Sequence, residues 1–183
     1  RGRKSGMCDK RTLRAQFARI RAGAGSAEKD AAITENVLRS PLFCAESFFV
    51  YCSVRSEVPT DGLIAALLAA GKRVCVPRIA HGAMLSVPYA PLAAGAFGIP
   101  APSCGEDTPC EVALAPLLAV DADGYRLGYG RGYYDAYFAR NPQILRVGLA
   151  YAAQLTGALP REPWDRPLQA VVTEEGFRRF PNT

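Results

Sequence analysis

The sequence predicts one three-layer α/β domain built on a mostly parallel sheet, and three observations predict it. Short, continuously apolar runs rich in β-formers recur along the chain (SFFVYCS, RVCVP, VALAPLLAV, ILRVGLAY), the composition of strands buried on both faces. Stretches with apolar residues at helical spacing lie between them, so successive strands are joined by crossovers and covered by helices. The length, 183 residues with 49% hydrophobic and 21% charged, suits one substantial core and is short for two.

The elements follow in order. Asp9 caps a helix carrying Leu13, Phe17 and Ile20 on one face, with Lys10, Arg11, Arg14 and Arg19 toward the others, ended by Gly23 and Gly25. Ser26 opens a second helix with Ile33, Val37 and Leu38 as its stripe, closed before Pro41. Residues 47–53 form a buried strand. Thr60 or Asp61 caps a helix of Leu63, Ile64, Leu67 and Leu68 that Gly71 terminates. Residues 73–77 make the next strand, and 84–89 an edge strand, since Pro88 donates no ladder bond. The Pro/Gly-rich stretch 91–109 reads as a long loop and therefore a functional suspect. A continuous strand over 112–120, a turn through DADGYRL, and a helix starting near Gly132 come next. Strands at 144–151, LQAVVTEE and GFRRF complete the chain.

Composition narrows the function. The net charge of +5 includes Arg1, Arg3 and Lys4 of RGRKSG, ahead of Met7; without these three it falls to +2, too little for a nucleic-acid footprint. Residues 1–6 are expected to be a tag remnant or disordered extension, with 7–183 the domain proper. No apolar run is long enough for a membrane helix, and the opening stretch lacks a secretory h-region, so a cytoplasmic protein is expected, with no nucleic-acid or membrane partner. Six cysteines, at 8, 44, 52, 75, 104 and 110, show no CxxC spacing, and His81 is the one histidine. Free thiols are expected, with Cys104 and Cys110 as the one candidate pair, and His81 as a loop residue.

The richest stretch is Gly124-Tyr-Arg-Leu-Gly-Tyr-Gly-Arg-Gly-Tyr-Tyr-Asp135. Gly128, Gly130 and Gly132 permit positive φ and close approach to backbone N–H groups, and the helix N-terminus that follows favours an anion. Arg126 and Arg131 supply forked donors for phosphate oxygens. Tyr129, Tyr133 and Tyr134 offer flat faces for a heterocycle, although Tyr133 and Tyr134 also suit a core. The pattern is neither the dinucleotide fingerprint nor a P-loop. Asp135, in the first helical turn, suits either a dipole-stabilised carboxylate or a Mg²⁺ ligand. Lys10 and Arg14 share a helical face, and Glu57 follows a buried strand, where α/β sheets place crevice residues. No nucleophile–base motif occurs, which suits phosphoryl transfer, a reaction governed by positioning and charge.

Arg126 to Asp135 resembles the signature of the 5-formyltetrahydrofolate cyclo-ligase family, and the order of other blocks agrees: Lys10-Arg-Thr-Leu-Arg14, Ser56-Glu-Val-Pro-Thr60, GKRVCVPR and LQAVVTEEG. The resemblance covers nearly the whole chain from Met7. It implies a Rossmann-like α/β/α sandwich and ATP- and Mg²⁺-dependent conversion of 5-formyltetrahydrofolate to 5,10-methenyltetrahydrofolate, by a monomer or weak homodimer. Lys10, Arg14, Arg126 and the loop Gly128, Tyr129, Gly130, Arg131, Gly132, Tyr133 and Tyr134 would hold ATP. Glu57 and Tyr133 would contact the folate, Asp135 would bind the metal, and Arg131 and Arg126 would neutralise charge during transfer. Where many members carry a His-Asp pair this chain has Trp164-Asp165, and Gln169 stands where some carry a metal-binding Asp. Asp135 alone, or with Asp165 or Glu174, is the implied metal set. Rival readings are another small-molecule kinase or ATP-dependent ligase on this scaffold, and a non-catalytic RNA-binding protein.

Overall fold

The computed structural model describes residues 9–181; Cys8 and the expected extension at 1–6 lie outside them. Two helices open the chain, α1 (Lys10–Ala24) and α2 (Ala27–Arg39). Both caps are made as predicted: Thr12 N–H donates to the Asp9 carboxylate at 2.7 Å and Lys29 N–H to the Ser26 hydroxyl at 3.3 Å. After β1 (Ser47–Val50) come α3 (Asp61–Ala69), β2 (Arg73–Ala80) and β3 (Ala83–Pro88). Thr60 stands at the α3 N-cap without capping it, because its hydroxyl donates instead to the Tyr51 carbonyl at 2.7 Å.

The 91–109 stretch is not structureless: it holds a short antiparallel pair, β4 (Leu92–Ala93) and β5 (Ala101–Pro102), around a 3₁₀ turn at Ala96–Gly98. The predicted strand over 112–120 divides into β6 (Val112–Ala115) and β7 (Ala119–Val120). Pro116, which has no N–H to donate, sits at the break; β7 then pairs antiparallel with β8 (Arg126–Leu127), a strand within the predicted turn. The chain finishes with α4 (Tyr133–Arg140), β9 (Leu145–Leu149), β10 (Ala170–Thr173) and β11 (Gly176–Arg179).

The main sheet runs β11-β10-β9-β6-β1-β2-β3. From β10 to β2 all neighbours are parallel, and the two edge strands are antiparallel. Successive residues feed opposite layers. Phe48, Val50, Val74, Val112 and Leu114 pack with Ile33, Val37, Leu63 and Leu67 of α2 and α3. Phe49, Cys75, Ala113 and Ala115 pack with Tyr137 and Phe138 of α4. The α/β sandwich is therefore as predicted. Helix α1 lies apart, its Phe17 packed with Leu118 and Leu127 of the β7–β8 region.

The β2–β3 turn places His81 and Gly82 at φ +50° and +76°, a loop position as expected. The described cysteines are free thiols, as expected, and the candidate pair is not made: Cys104 is exposed, whereas Cys110 lies 3.8 Å from the Ser86 hydroxyl. Ser86 draws the chain there, exchanging bonds with the Asp107 carboxylate and Thr108 N–H at 2.8 and 2.7 Å.

Candidate active site

The strand order reverses between β1 and β6: β1 connects through α3 to β2 on one side, and the chain then returns to β6 on the other. Ligands of open α/β sheets bind beyond the carboxyl ends of the strands at such a point. Here a cleft of about 910 Å³ opens there, lined among others by Tyr51, Glu57, Pro116, Arg126, the 128–135 segment and Asp165.

One wall is the glycine loop between β8 and α4. Gly130 and Gly132 have φ of +94° and +71°. A Cβ at Gly130 would lie 3.1 Å from Arg14 Cζ, so the bare backbone lets the guanidinium tuck against the loop. From there Arg14 Nε donates to the Gly128 carbonyl at 2.9 Å. The Arg126 guanidinium lies 5.5 and 5.6 Å from the centres of the neighbouring Tyr134 and Phe138 rings, with Nη2 3.4 Å from Asp135 Oδ1. Its Nε is buried with no hydrogen-bond partner, an unmet donor of the kind a bound anion satisfies. Lys10 Nζ pairs with Asp165 Oδ2 at 2.9 Å on the rim. Arg131 is exposed, its guanidinium 3.6 Å from the Phe97 ring centre. Phe97 comes from the 3₁₀ turn inside 91–109, takes φ +59°, and lies near Tyr133. The suspect loop thus reaches the glycine segment across the cleft.

The other wall carries Glu57. The loop after β1 is knitted by reciprocal bonds between Ser53 and Thr60 and by the Tyr51 hydroxyl donating to the Val58 carbonyl at 2.7 Å. Glu57 is only 6% exposed, and its Oε2 accepts from Val54 N–H at 2.8 Å, its Oε1 from the Tyr129 hydroxyl at 3.0 Å. Burial pushes its carboxyl above the ordinary range, only partly offset by those bonds and by the charges of Arg21 and Arg55.

Asp135 Oδ1 accepts from Arg166 N–H at 2.9 Å in addition to facing Arg126. Among the described residues no group of three acidic, His or Cys side chains converges to hold a metal. Hard carboxylate oxygens on Asp135 and Asp165 along one cleft suit a Mg²⁺ that arrives with a polyphosphate and keeps several waters. They do not form a closed cage for a resident ion. Gln169 and Glu174 are engaged elsewhere, with Arg146 N–H, and with Lys29 and Ala152 N–H, respectively.

Every predicted nucleotide, folate and metal residue lines this one cleft except Glu174, the optional second metal ligand. Sequence reasoning gave no site role to Arg55, Phe97 and Trp164, which line the cleft, or to Arg21, which bonds the cleft residue Tyr129. Arg21 left a signal: Lys10, Arg14, Phe17 and Arg21 recur every three or four residues and share one stripe of α1. Arg55, at φ +56°, left none.

Residues 7–174 match the model of the 5-formyltetrahydrofolate cyclo-ligase family. The chain is 34% identical over 155 residues to the 5-formyltetrahydrofolate cyclo-ligase of Escherichia coli K12, covering 78% of this chain and 85% of that protein. It is 30% identical over 165 residues to a probable 5-formyltetrahydrofolate cyclo-ligase of Caenorhabditis elegans, covering 78% and 80%. The NMR structure of Aquifex aeolicus 5,10-methenyltetrahydrofolate synthetase superimposes with a TM-score of 0.83 at 30% identity, over 95% of this chain and 94% of that one. No helix among the described residues is long and apolar enough to cross a membrane.

Proposed function

The chain belongs to the 5-formyltetrahydrofolate cyclo-ligase family, and from that premise we propose that its cleft converts 5-formyltetrahydrofolate and ATP to 5,10-methenyltetrahydrofolate, ADP and phosphate. The observation that carries this reading is the union, in one cleft, of a cationic glycine loop with an unmet guanidinium donor and a buried carboxylate on the facing wall.

The chemistry explains why such a cleft suffices. A formamide carbon is a poor electrophile, because nitrogen donates into the carbonyl, and its oxygen leaves poorly. Transfer of the γ-phosphoryl group from ATP to the formyl oxygen forms an iminium phosphate and releases ADP. The anilino nitrogen of the folate then attacks that carbon and closes the five-membered ring, losing its N–H proton to the departing phosphate. No covalent enzyme intermediate is needed, in keeping with a sequence that carries no nucleophile–base motif.

The residues take separate parts. The glycine loop with Lys10 and Arg14 grips the triphosphate, its backbone N–H groups and the start of α4 facing the anion. Arg126 and Arg131 neutralise charge as it shifts between oxygens. Glu57 accepts N–H donors of the reduced folate, and Tyr133 with Phe97 supplies flat apolar surface beside it. Asp135, with the option of Asp165, would hold Mg²⁺, which would supply charge neutralisation on the phosphates. The aromatic cover excludes water that would compete for the phosphoryl group.

The test is spectroscopic. The protein mixed with 5-formyltetrahydrofolate, Mg²⁺ and ATP is expected to produce the near-ultraviolet band of the methenyl product, and none with ATP omitted. Absence of the band with all components present would end this reading.

A further inference from the structure

We infer that Arg21 is a positioning residue for the folate side of the cleft: it fixes the Tyr129 phenol, and through it the Glu57 carboxylate. The inference rests on the reduced-folate reading of the cleft, but it concerns a residue that reading leaves without a role.

Arg21 is 3% exposed, on the stripe of α1 that also carries Lys10, Arg14 and Phe17. Burying a guanidinium is costly unless its donors are met, and those that meet it come from three separate segments. Nε donates to the Ser56 hydroxyl at 3.2 Å, in the loop that carries Glu57. Nη1 donates to the Leu117 carbonyl at 3.1 Å, in the break between β6 and β7. Nη2 donates to the Tyr129 hydroxyl, in the glycine loop. Among the described residues no carboxylate lies within ion-pair distance of Arg21. Its closest hydrogen-bonded route to Glu57 therefore runs through Tyr129.

The direction of that route is forced. A guanidinium has donors and no acceptor, so the phenol oxygen must accept from Arg21. The phenol proton then points the other way, to Glu57 Oε1 at 3.0 Å. Tyr129 is 43% exposed and stands on a glycine-flanked backbone; without Arg21 its hydroxyl would turn to water. Glu57 would keep only the Val54 N–H bond on its other oxygen and lose the fixed orientation in which it meets the folate. The same bridge ties the nucleotide loop to the folate wall.

The experiment compares wild type, Arg21→Lys, Tyr129→Phe and the double variant at saturating ATP and Mg²⁺, with 5-formyltetrahydrofolate varied and melting temperatures measured alongside. Lysine keeps the charge but lacks the planar fork that reaches all three acceptors. Each single variant is expected to raise KM for the folate about tenfold, the scale of one charge-assisted hydrogen bond, with kcat within about twofold. The double variant should be no worse than the worse single one, because both changes cut the same bridge. Single effects that multiply in the double variant, an unchanged KM in Tyr129→Phe, or losses of kcat that track melting temperature would each overturn the inference. Tyr129→Phe alters a half-exposed side chain and decides the matter alone should Arg21→Lys not fold. A wild type that makes no methenyl product defeats the folate reading itself; an active wild type with independent variants defeats only the role of Arg21.

Discussion

Alanine at Gly130 should cripple nucleotide binding while leaving the fold intact, and the other two loop glycines calibrate how much. Residue 130 has φ +94°, a conformation that costs an L-residue about 1–2 kcal/mol. Its new Cβ would also stand 3.1 Å from Arg14 Cζ, so Arg14 must swing away and give up its bond to the Gly128 carbonyl, worth about 1.5–3 kcal/mol for a charged donor. Both costs fall on an exposed loop, which relaxes in the free protein and must be restored when ATP binds. Together they come to about 2.5–5 kcal/mol and predict a rise in KM for ATP of about a hundredfold or more. At Gly132, φ is +71° and a Cβ meets nothing within 4 Å, so strain acts alone and about tenfold is expected. At Gly128 a Cβ would make only an ordinary 3.8 Å contact with Arg126 Nη1, and the effect should stay within about twofold. The assay is formation of the methenyl product with ATP varied. In an Arg14→Ala background there is no guanidinium to displace, and Gly130→Ala should cost only about a further tenfold. Equal hundredfold effects in both backgrounds, or Gly128→Ala as the worst of the three, would refute the reasoning.

Arg131→Ala should mainly lower kcat, by about tenfold to a hundredfold if the guanidinium stabilises charge in transfer; unchanged turnover at saturating ATP would remove it from the chemistry. On the proposed reading Glu57 meets the folate as a carboxylate, so kcat/KM for the folate should fall as pH drops and the group protonates. Because burial raises its pKa, the midpoint of that limb should lie above the ordinary glutamate value of 4.5, and Glu57→Gln should abolish the limb; a limb centred at or below 4.5 would contradict the burial argument. Asp121 is a buried carboxylate that accepts from Asp123, Tyr125 and Leu159 N–H and from Arg161. Asp121→Ala strands these donors and should cost about 3 kcal/mol of stability, read as a lowered urea midpoint.

The sequence by itself determined the parts that local periodicity encodes. Four apolar runs became four of the five strands of the parallel core, since a segment buried on both faces has no polar positions to spare. Asp9 and Ser26 marked their helices because a cap acts within one turn. Gly128 to Asp135 and Glu57 were legible for the same reason: positive φ, a helix start and a position just past a strand are local facts.

What only the tertiary structure decided is who meets whom. The bond from Arg14 to Gly128 spans 114 residues, that from Tyr129 to Glu57 spans 72, and that from Lys10 to Asp165 spans 155. Such meetings depend on strand order and parallel register, which leave no trace in the spacing of any one segment. The same limit hid the partners of Arg21, the reach of Phe97 to Arg131, and the contact of Cys110 with Ser86. A residue's own neighbours along the chain fix which way it faces. The crossovers that carry distant segments to one end of the sheet fix what it faces, and there the cleft is assembled.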